Sequence, residues 1–362
     1  MTFREAQAMG PLDVLIFDMD GVLIDVSRSY RETIRQTVQI YLETCLGLKP
    51  GQEVLVSLED ISLLKSLGRF NNDWDLTSGL LLYLLSISGL PPRPRQKKFF
   101  TLEGVIQHLG ATSSRFRLDP LRIFKRKNTP AFVKAVSRSG SGLPGIRRAL
   151  SKVHGASWNG WIYRSGDLKE ENVVQRIFQE VYLGDQFVRH YGLQPRFYRG
   201  PGYHLRERLL IPRQVLARLR KKVHMGIASG RPRFEADLAL RRFRLSSYFD
   251  SVVTLDECKA AEARVFRSTG SRVKLTKPHP YPLLRVVREI GLPRPRCAYV
   301  GDVVDDMQAA RAASRRVRMM AIGFMEDDKK SGPRMESLQK AGASRMITYP
   351  SELLLLIPGE KY

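Results

Sequence analysis

Val14-Leu15-Ile16-Phe17-Asp18-Met19-Asp20-Gly21-Val22 is an apolar run that ends in two carboxylates and a glycine. Four apolar residues without polar alternation predict a strand covered on both faces, as in a parallel sheet packed between helices. Residues 223–228, 298–300, 317–322 and 346–348 share that character. Helical patterns separate the later runs, so the chain is predicted to build a doubly wound, Rossmann-like α/β parallel sheet. Three runs end in a polar residue and a turn: Asp18, Ser229 and Asp302. Open α/β sheets bind ligands beyond the carboxyl ends of their strands. These three side chains therefore define a candidate site, though they lie far apart in the chain.

After the first strand, Val26, Tyr30, Ile34, Val38 and Tyr41 recur at helical spacing, predicting a helix that leaves the site at once. The interval before the second strand is too long for a simple crossover. It holds helical patterns over residues 76–85 and Val173–Leu183. We expect a catalytic core of residues 11–28 plus 205–362, with 29–204 inserted as a second, mostly helical cap domain.

The chain has 362 residues and is 43% hydrophobic, enough for packed cores and against wholesale disorder. Cys45, Cys258 and Cys297 are scattered, with no CxxC or Cys/His ligand spacing, and read as buried thiols in a reducing compartment. No charged-then-apolar leader precedes Val14, so no secretory signal is expected. The longest apolar stretch, residues 80–90, is too short for a bilayer, which needs roughly 20 residues. A soluble cytoplasmic protein is the expectation, with no membrane partner.

The net charge of +24 is unevenly spread. Residues 91–160, a Pro- and Gly-interrupted tract, carry 15 Lys and Arg against two acids, Glu103 and Asp119. Two readings stand: a solvated basic face, or a surface that contacts a polyanion or nucleic acid. Phe99-Phe100, Arg115-Phe116-Arg117 and Phe124-Lys125-Arg126-Lys127 interleave rings with cations, a pattern that can stack bases and neutralise phosphates.

Asp18 and Asp20, two apart in a turn, can face one cavity. A carboxylate attacks phosphorus once a cation neutralises the phosphate. A second carboxyl can protonate the leaving oxygen and then activate water. Gly21 permits backbone geometry that a side chain would obstruct. A calcium loop begins with similar letters but needs an acid at its twelfth position, here Ser29. A plain Asx turn is the other alternative.

Three further motifs follow in order: Ser229-Gly230-Arg231; Lys277-Pro278; and Gly301-Asp302-Val303-Val304-Asp305-Asp306. With Asp18-Met19-Asp20-Gly21-Val22, they resemble the haloacid dehalogenase-like hydrolase superfamily over residues 11–30 and 205–350. Asn71-Asn72-Asp73-Trp74 and Ile177-Phe178-Gln179-Glu180-Val181-Tyr182-Leu183-Gly184 look like cap segments of a phosphatase-like subgroup, for which histidinol phosphate is a suggested substrate. The overall pattern is similar to phosphoglycolate phosphatase-like members, and the basic tract departs from it.

The resemblance implies that Asp18 forms an aspartyl-phosphate and that Asp20 is the acid/base. It implies that Ser229 and Lys277 hold the phosphoryl oxygens, Ser229 with backbone N–H groups of the following turn (Gly230, Arg231). Asp18, the Asp20 carbonyl and Asp302 would bind Mg2+, with Asp305 and Asp306 in support. The implied activity is a magnesium-dependent phosphomonoester hydrolase acting on a small metabolite such as histidinol phosphate, phosphoglycolate or a sugar phosphate. Asp20 disfavours a dehalogenase, whereas a phosphomutase stays open, as does a nucleic-acid-binding or nucleic-acid-end phosphatase protein. Arg28, Asn72, Asp73 and Trp74 are expected to contribute substrate selectivity.

Each residue also has a plainer reading. Ser229 could cap a helix, Asp305 and Asp306 could complement a helix dipole, and Trp74, Trp158 and Trp161 could simply pack.

Overall fold

The computed structural model describes residues 11–68, 70, 73–325 and 332–357. The chain divides into two compact units, one comprising the residues up to Val26 and from Arg208 onward, the other Ser27–Glu207. The divisions read from the sequence were 28/29 and 204/205.

Among the described residues the first unit holds eight strands: β1 (Val14–Phe17), β2 (Ile24–Asp25), β3 (Arg208–Leu209), β4 (His224–Ala228), β5 (Ser251–Val253), β6 (Arg296–Gly301), β7 (Arg318–Phe324) and β8 (Arg345–Ile347). Six of them form one sheet in the order β5-β4-β1-β6-β7-β8. Every pairing in it is parallel. The five apolar runs are all strands of this sheet. β5 escaped sequence reading because three residues carry no measurable period.

The helix whose spacing was read from Val26 starts one turn later. Residues 19–24 turn back on themselves, with Leu23 and Ile24 N–H donating to the Met19 carbonyl and Gly21 N–H to that of Ile24. β2 then pairs antiparallel with β3, and helix begins only at Tyr30.

The second unit is helical: α1 (Tyr30–Ile40, running into a π turn, Tyr41–Cys45), α2 (Leu58–Lys65), α3 (Asp73–Ser88), α4 (Leu102–Ser113), α5 (Pro120–Arg126), α6 (Thr129–Ser137), α7 (Gly142–His154), α8 (Val173–Leu183) and α9 (Asp185–Tyr191). The basic tract is thus ordered into four helices. α3 takes up most of the 80–90 apolar stretch and buries 12 of its 16 residues. No helix among the described residues is long and apolar enough to cross a membrane. Trp158 and Trp161 are core residues whose indole N–H groups donate to the Leu90 and Pro91 carbonyls.

Asp60 anchors this unit. Its carboxylate closes a capping box with Ser57 at the start of α2, accepts from Thr129 and pairs with Lys127 at 2.7 Å. Burial raises its pKa, but the bonds from Lys127, Thr129 and Ser57 outweigh it and hold the carboxyl below its ordinary 3.8. We expect Asp60→Asn to cost about 2 kcal/mol in chemical denaturation, below the limit for a fully buried pair because solvent partly screens it. A depressed carboxyl stabilises above its unfolded pKa and loses that contribution as pH falls through the folded one. The difference between native chain and variant should therefore close in acid.

The helices of the sheet unit are α10 (Arg213–Arg220), α11 (Arg233–Arg242), α12 (Leu255–Thr269), α13 (Tyr281–Ile290), α14 (Val304–Ala313) and α15 (Gly332–Ala341). Its core joins Val14 and Ile16 of β1, Cys297 and Tyr299 of β6, Leu283 and Val286 of α13, and Met307 and Ala310 of α14. All three cysteines are free and buried.

Candidate active site

β1 lies between β4 and β6, with Phe17 opposite Ile227 on one side and Val300 on the other. Neighbouring strands in register deliver their next residues to one edge: Asp18 after β1, Ser229 after β4 and Asp302 after β6. The Asp18 N–H continues the ladder to the Val300 carbonyl at 2.9 Å, and the Ser229 N–H to that of Val253 at 2.9 Å.

Lys277, in the loop between α12 and α13, is the centre of charge. Its Nζ stands 2.8 Å from Asp18 Oδ1 and 2.6 Å from Asp306 Oδ1. It also donates to the Tyr299 hydroxyl at 2.9 Å. That hydroxyl lies 2.9 Å from Asp306 Oδ1 and 3.2 Å from the Ala228 carbonyl. Burial would lower the Lys277 pKa, but Asp18 and Asp306 outweigh it and hold the ammonium charged. Tyr299 was missed by sequence reasoning: an inward-facing tyrosine within a strand reads as core, and nothing in its spacing marks it.

Asp18 is buried. Desolvation pushes its pKa up to about 8; Lys277 opposes the rise, while Asp306, Asp20 and Asp302 add to it. The cluster thus favours a neutral carboxyl unless more positive charge arrives.

Asp306, at the first turn of α14, is fully used. Oδ1 accepts from Lys277 and Tyr299, and Oδ2 from the N–H groups of Asp302 and Val303 at 3.1 and 3.2 Å. It shapes the loop that carries Asp302 and steadies Lys277, which goes beyond complementing the helix dipole. Gly301 makes this approach feasible, since a Cβ there would sit 2.3 Å from the Asp306 Cβ. Gly21 has φ +77°, and a Cβ on it would lie 2.4 Å from Asp302 Oδ2. Only glycine satisfies that backbone and that space. Asp305, in the same turn, is half-buried and stands outside the cluster.

Asp20 is held by Arg231, whose Nε lies 2.6 Å from Asp20 Oδ1 while the arginine side chain is 1% exposed. The Ser229 hydroxyl accepts the Arg231 N–H at 3.2 Å. Helix α11 begins two residues later, with Pro232 at its cap. Ser229 therefore closes the turn, not the helix. A side chain at Gly230 would meet no neighbouring atom. Arg334 of α15 reaches Asp302, donating to its carbonyl and to Oδ2 at 2.8 Å each. Sequence reading had no means to place that contact.

Of the residues expected to set selectivity, Arg28, Asp73 and Trp74 belong to the helical unit. Arg28 is exposed, Asp73 opens α3, and the Trp74 ring meets Phe178 edge-on at 6.2 Å. Asn72 lies outside the described residues.

The donor set suits a hard divalent cation. Among the described residues, Asp18, Asp302 and Asp306 each bring an oxygen within 4.8 Å of the others. Asp18 Oδ1 is buried, with the Lys277 ammonium 2.8 Å away as its counter-charge. With Asp306 saturated, Asp18 and Asp302 keep lone pairs to offer. Oxygen-only ligands, few in number, fit magnesium, which retains several waters.

The parallel sheet thus gathers clustered carboxylates and Lys277 at its carboxyl edge. Residues 208–314, within the sheet unit, match the family model of the haloacid dehalogenase-like hydrolases. A solved structural-genomics target superposes with a TM-score of 0.61 at 18% identity, covering 95% of this chain and 98% of that one. It shares the fold. An imidazoleglycerol-phosphate dehydratase of Phytophthora nicotianae is 23% identical over 96% of this chain and 53% of its own. A phosphoglycolate phosphatase of Xylella fastidiosa is 52% identical over 55 residues, 15% of this chain and 24% of that protein. The chain thus spans about half, or less, of the curated relatives it matches.

Proposed function

We propose that this chain is a magnesium-dependent phosphomonoester hydrolase working through an aspartyl-phosphate on Asp18. The observation that supports it best is the Lys277 ammonium between Asp18 and Asp306, at the strand edge that also bears Ser229 and Asp302.

Asp18 attacks phosphorus, the bond to the ester oxygen breaks, and Asp20 protonates the departing alkoxide. Asp20 then takes a proton from water as that water attacks the same phosphorus, releasing phosphate and restoring Asp18. Ser229 and Lys277 bind the phosphoryl oxygens, and Asp306 with Tyr299 keeps Lys277 aimed. Asp18 and Asp302, with the Asp20 carbonyl, would hold the magnesium ion. When bound, the ion supplies positive charge that offsets the clustered carboxylates and the phosphoryl oxygens. Arg231 orients Asp20 between the two proton transfers.

The helical unit is inserted between β2 and β3. We assign it the role of a cap that selects the leaving group, with Arg28, Asn72, Asp73 and Trp74 as its selectivity residues. The substrate is a small phosphorylated metabolite; a phosphomutase is the rival on the same residues.

A panel of histidinol phosphate, phosphoglycolate, sugar phosphates, nucleotides and a phosphorylated oligonucleotide tests this. We expect phosphate release from one small member, with magnesium and not with chelator. Transfer of the phosphoryl group within a sugar phosphate, without release, would favour the mutase. Silence across the panel in magnesium would contradict the proposal.

A further inference from the structure

Residues 114–126 of the helical unit form a run of exposed cations. They carry Arg115, Arg117, Arg122, Lys125 and Arg126 against Asp119 alone, and Asp119 is spent capping α5, accepting from Leu121 N–H. All five cations are exposed. Lys127, the next cation in the chain, is by contrast paired with Asp60. Those five have no ion-pair partner among the described residues.

Apolar side chains lie exposed among these charges. α5 anchors itself through one buried residue, Ile123, and turns Leu121 (42% exposed) and Phe124 (47%) outward; Phe116 in the preceding turn is 38% exposed. Each ring has cations on its chain flank, Arg115 and Arg117 about Phe116, Lys125 and Arg126 beside Phe124. The Phe99 ring, read from sequence as part of the same pattern, instead packs on His108 and Tyr163.

We propose that this surface binds single-stranded nucleic acid, with Phe116 and Phe124 stacking bases and the five cations meeting phosphates. Stacking on an aromatic face tolerates any base, and a basic track follows the backbone. A membrane surface fits less well: an interfacial helix needs a broad apolar face. α5 has seven residues, and its two exposed apolar side chains are interspersed with charge. The inference is independent of the phosphatase reading, since none of these residues belongs to the site at the strand edge.

The test is fluorescence anisotropy of a labelled oligothymidylate, and its RNA counterpart, with the full chain. Five phosphate contacts on a single strand predict that affinity falls roughly 100-fold between about 50 and 200 mM salt. Because a basic protein attracts any polyanion at low salt, the deciding variant is Phe116→Ala with Phe124→Ala, which leaves every charge in place. We expect it to lose about 10-fold or more in affinity at fixed salt. Arg122→Gln with Arg126→Gln should flatten the salt dependence. Circular dichroism and melting confirm that the variants, altered only at exposed positions, remain folded. No binding at low salt, ring variants that bind as the native chain does, or binding to anionic phospholipid vesicles in preference to the oligonucleotide would each overturn the proposal.

Discussion

Asp18→Asn is expected to abolish magnesium-dependent phosphate release, with a loss on the order of 10⁵ in turnover, the scale for removing a covalent nucleophile. The amide keeps the shape of the side chain but is no nucleophile towards phosphorus and a poor magnesium ligand. Burial and three nearby carboxylates oppose the Asp18 charge while Lys277 favours it, and a neutral amide of the same shape leaves the Lys277 ammonium with Asp306 and Tyr299. The variant should therefore fold and melt like the native chain, so lost activity reports on chemistry. Substantial turnover in folded Asp18→Asn would mean that another group attacks the phosphorus.

Lys277→Met should damage both activity and stability, which separates it from Asp18→Asn. The lysine side chain is 12% exposed, and its ammonium holds Asp18 and Asp306 together at 2.8 and 2.6 Å. Removing one partner from such a buried set strands the others, a cost of about 3 kcal/mol or more. Asp306 Oδ1 retains Tyr299, so part of the network survives. Charge at the phosphoryl oxygens is lost as well, worth roughly 10²–10³ in rate. Lys277→Arg should not restore either property, because a planar guanidinium cannot reproduce a compact ammonium in this space. Denaturant melts and steady-state kinetics on both variants check this. A Lys277→Met chain as stable as native would mean that the lysine is not what balances these carboxylates.

Much of the core was legible in the sequence because the signals were local. A strand buried on both faces appears as an apolar run, and Asp18, Ser229 and Asp302 follow their strands directly. What was not legible depends on tertiary placement. Tyr299 looks like any β6 core residue until the sheet sets its hydroxyl beside Lys277. Arg231 reads as the start of a helix, yet its side chain turns back 211 residues in sequence to Asp20. Arg334 comes from α15, past the last recognisable motif, and meets Asp302 only through the packing of that helix. β2, β3 and β5 are two or three residues long, too short for periodicity to register. The basic tract declared its charge but not its division into paired and unpaired cations, which a sequence cannot distinguish.

The central claim is that Asp18 carries the phosphoryl group, and trapping that group tests it most directly. The full chain would be acid-quenched during turnover of its best substrate in magnesium, then reduced with borohydride, which converts an acyl phosphate to an alcohol. We predict that peptide mass mapping finds homoserine at position 18, absent without substrate and absent in Asp18→Asn. Turnover with Asp18 unmodified, or the label on a different carboxylate, would contradict the account.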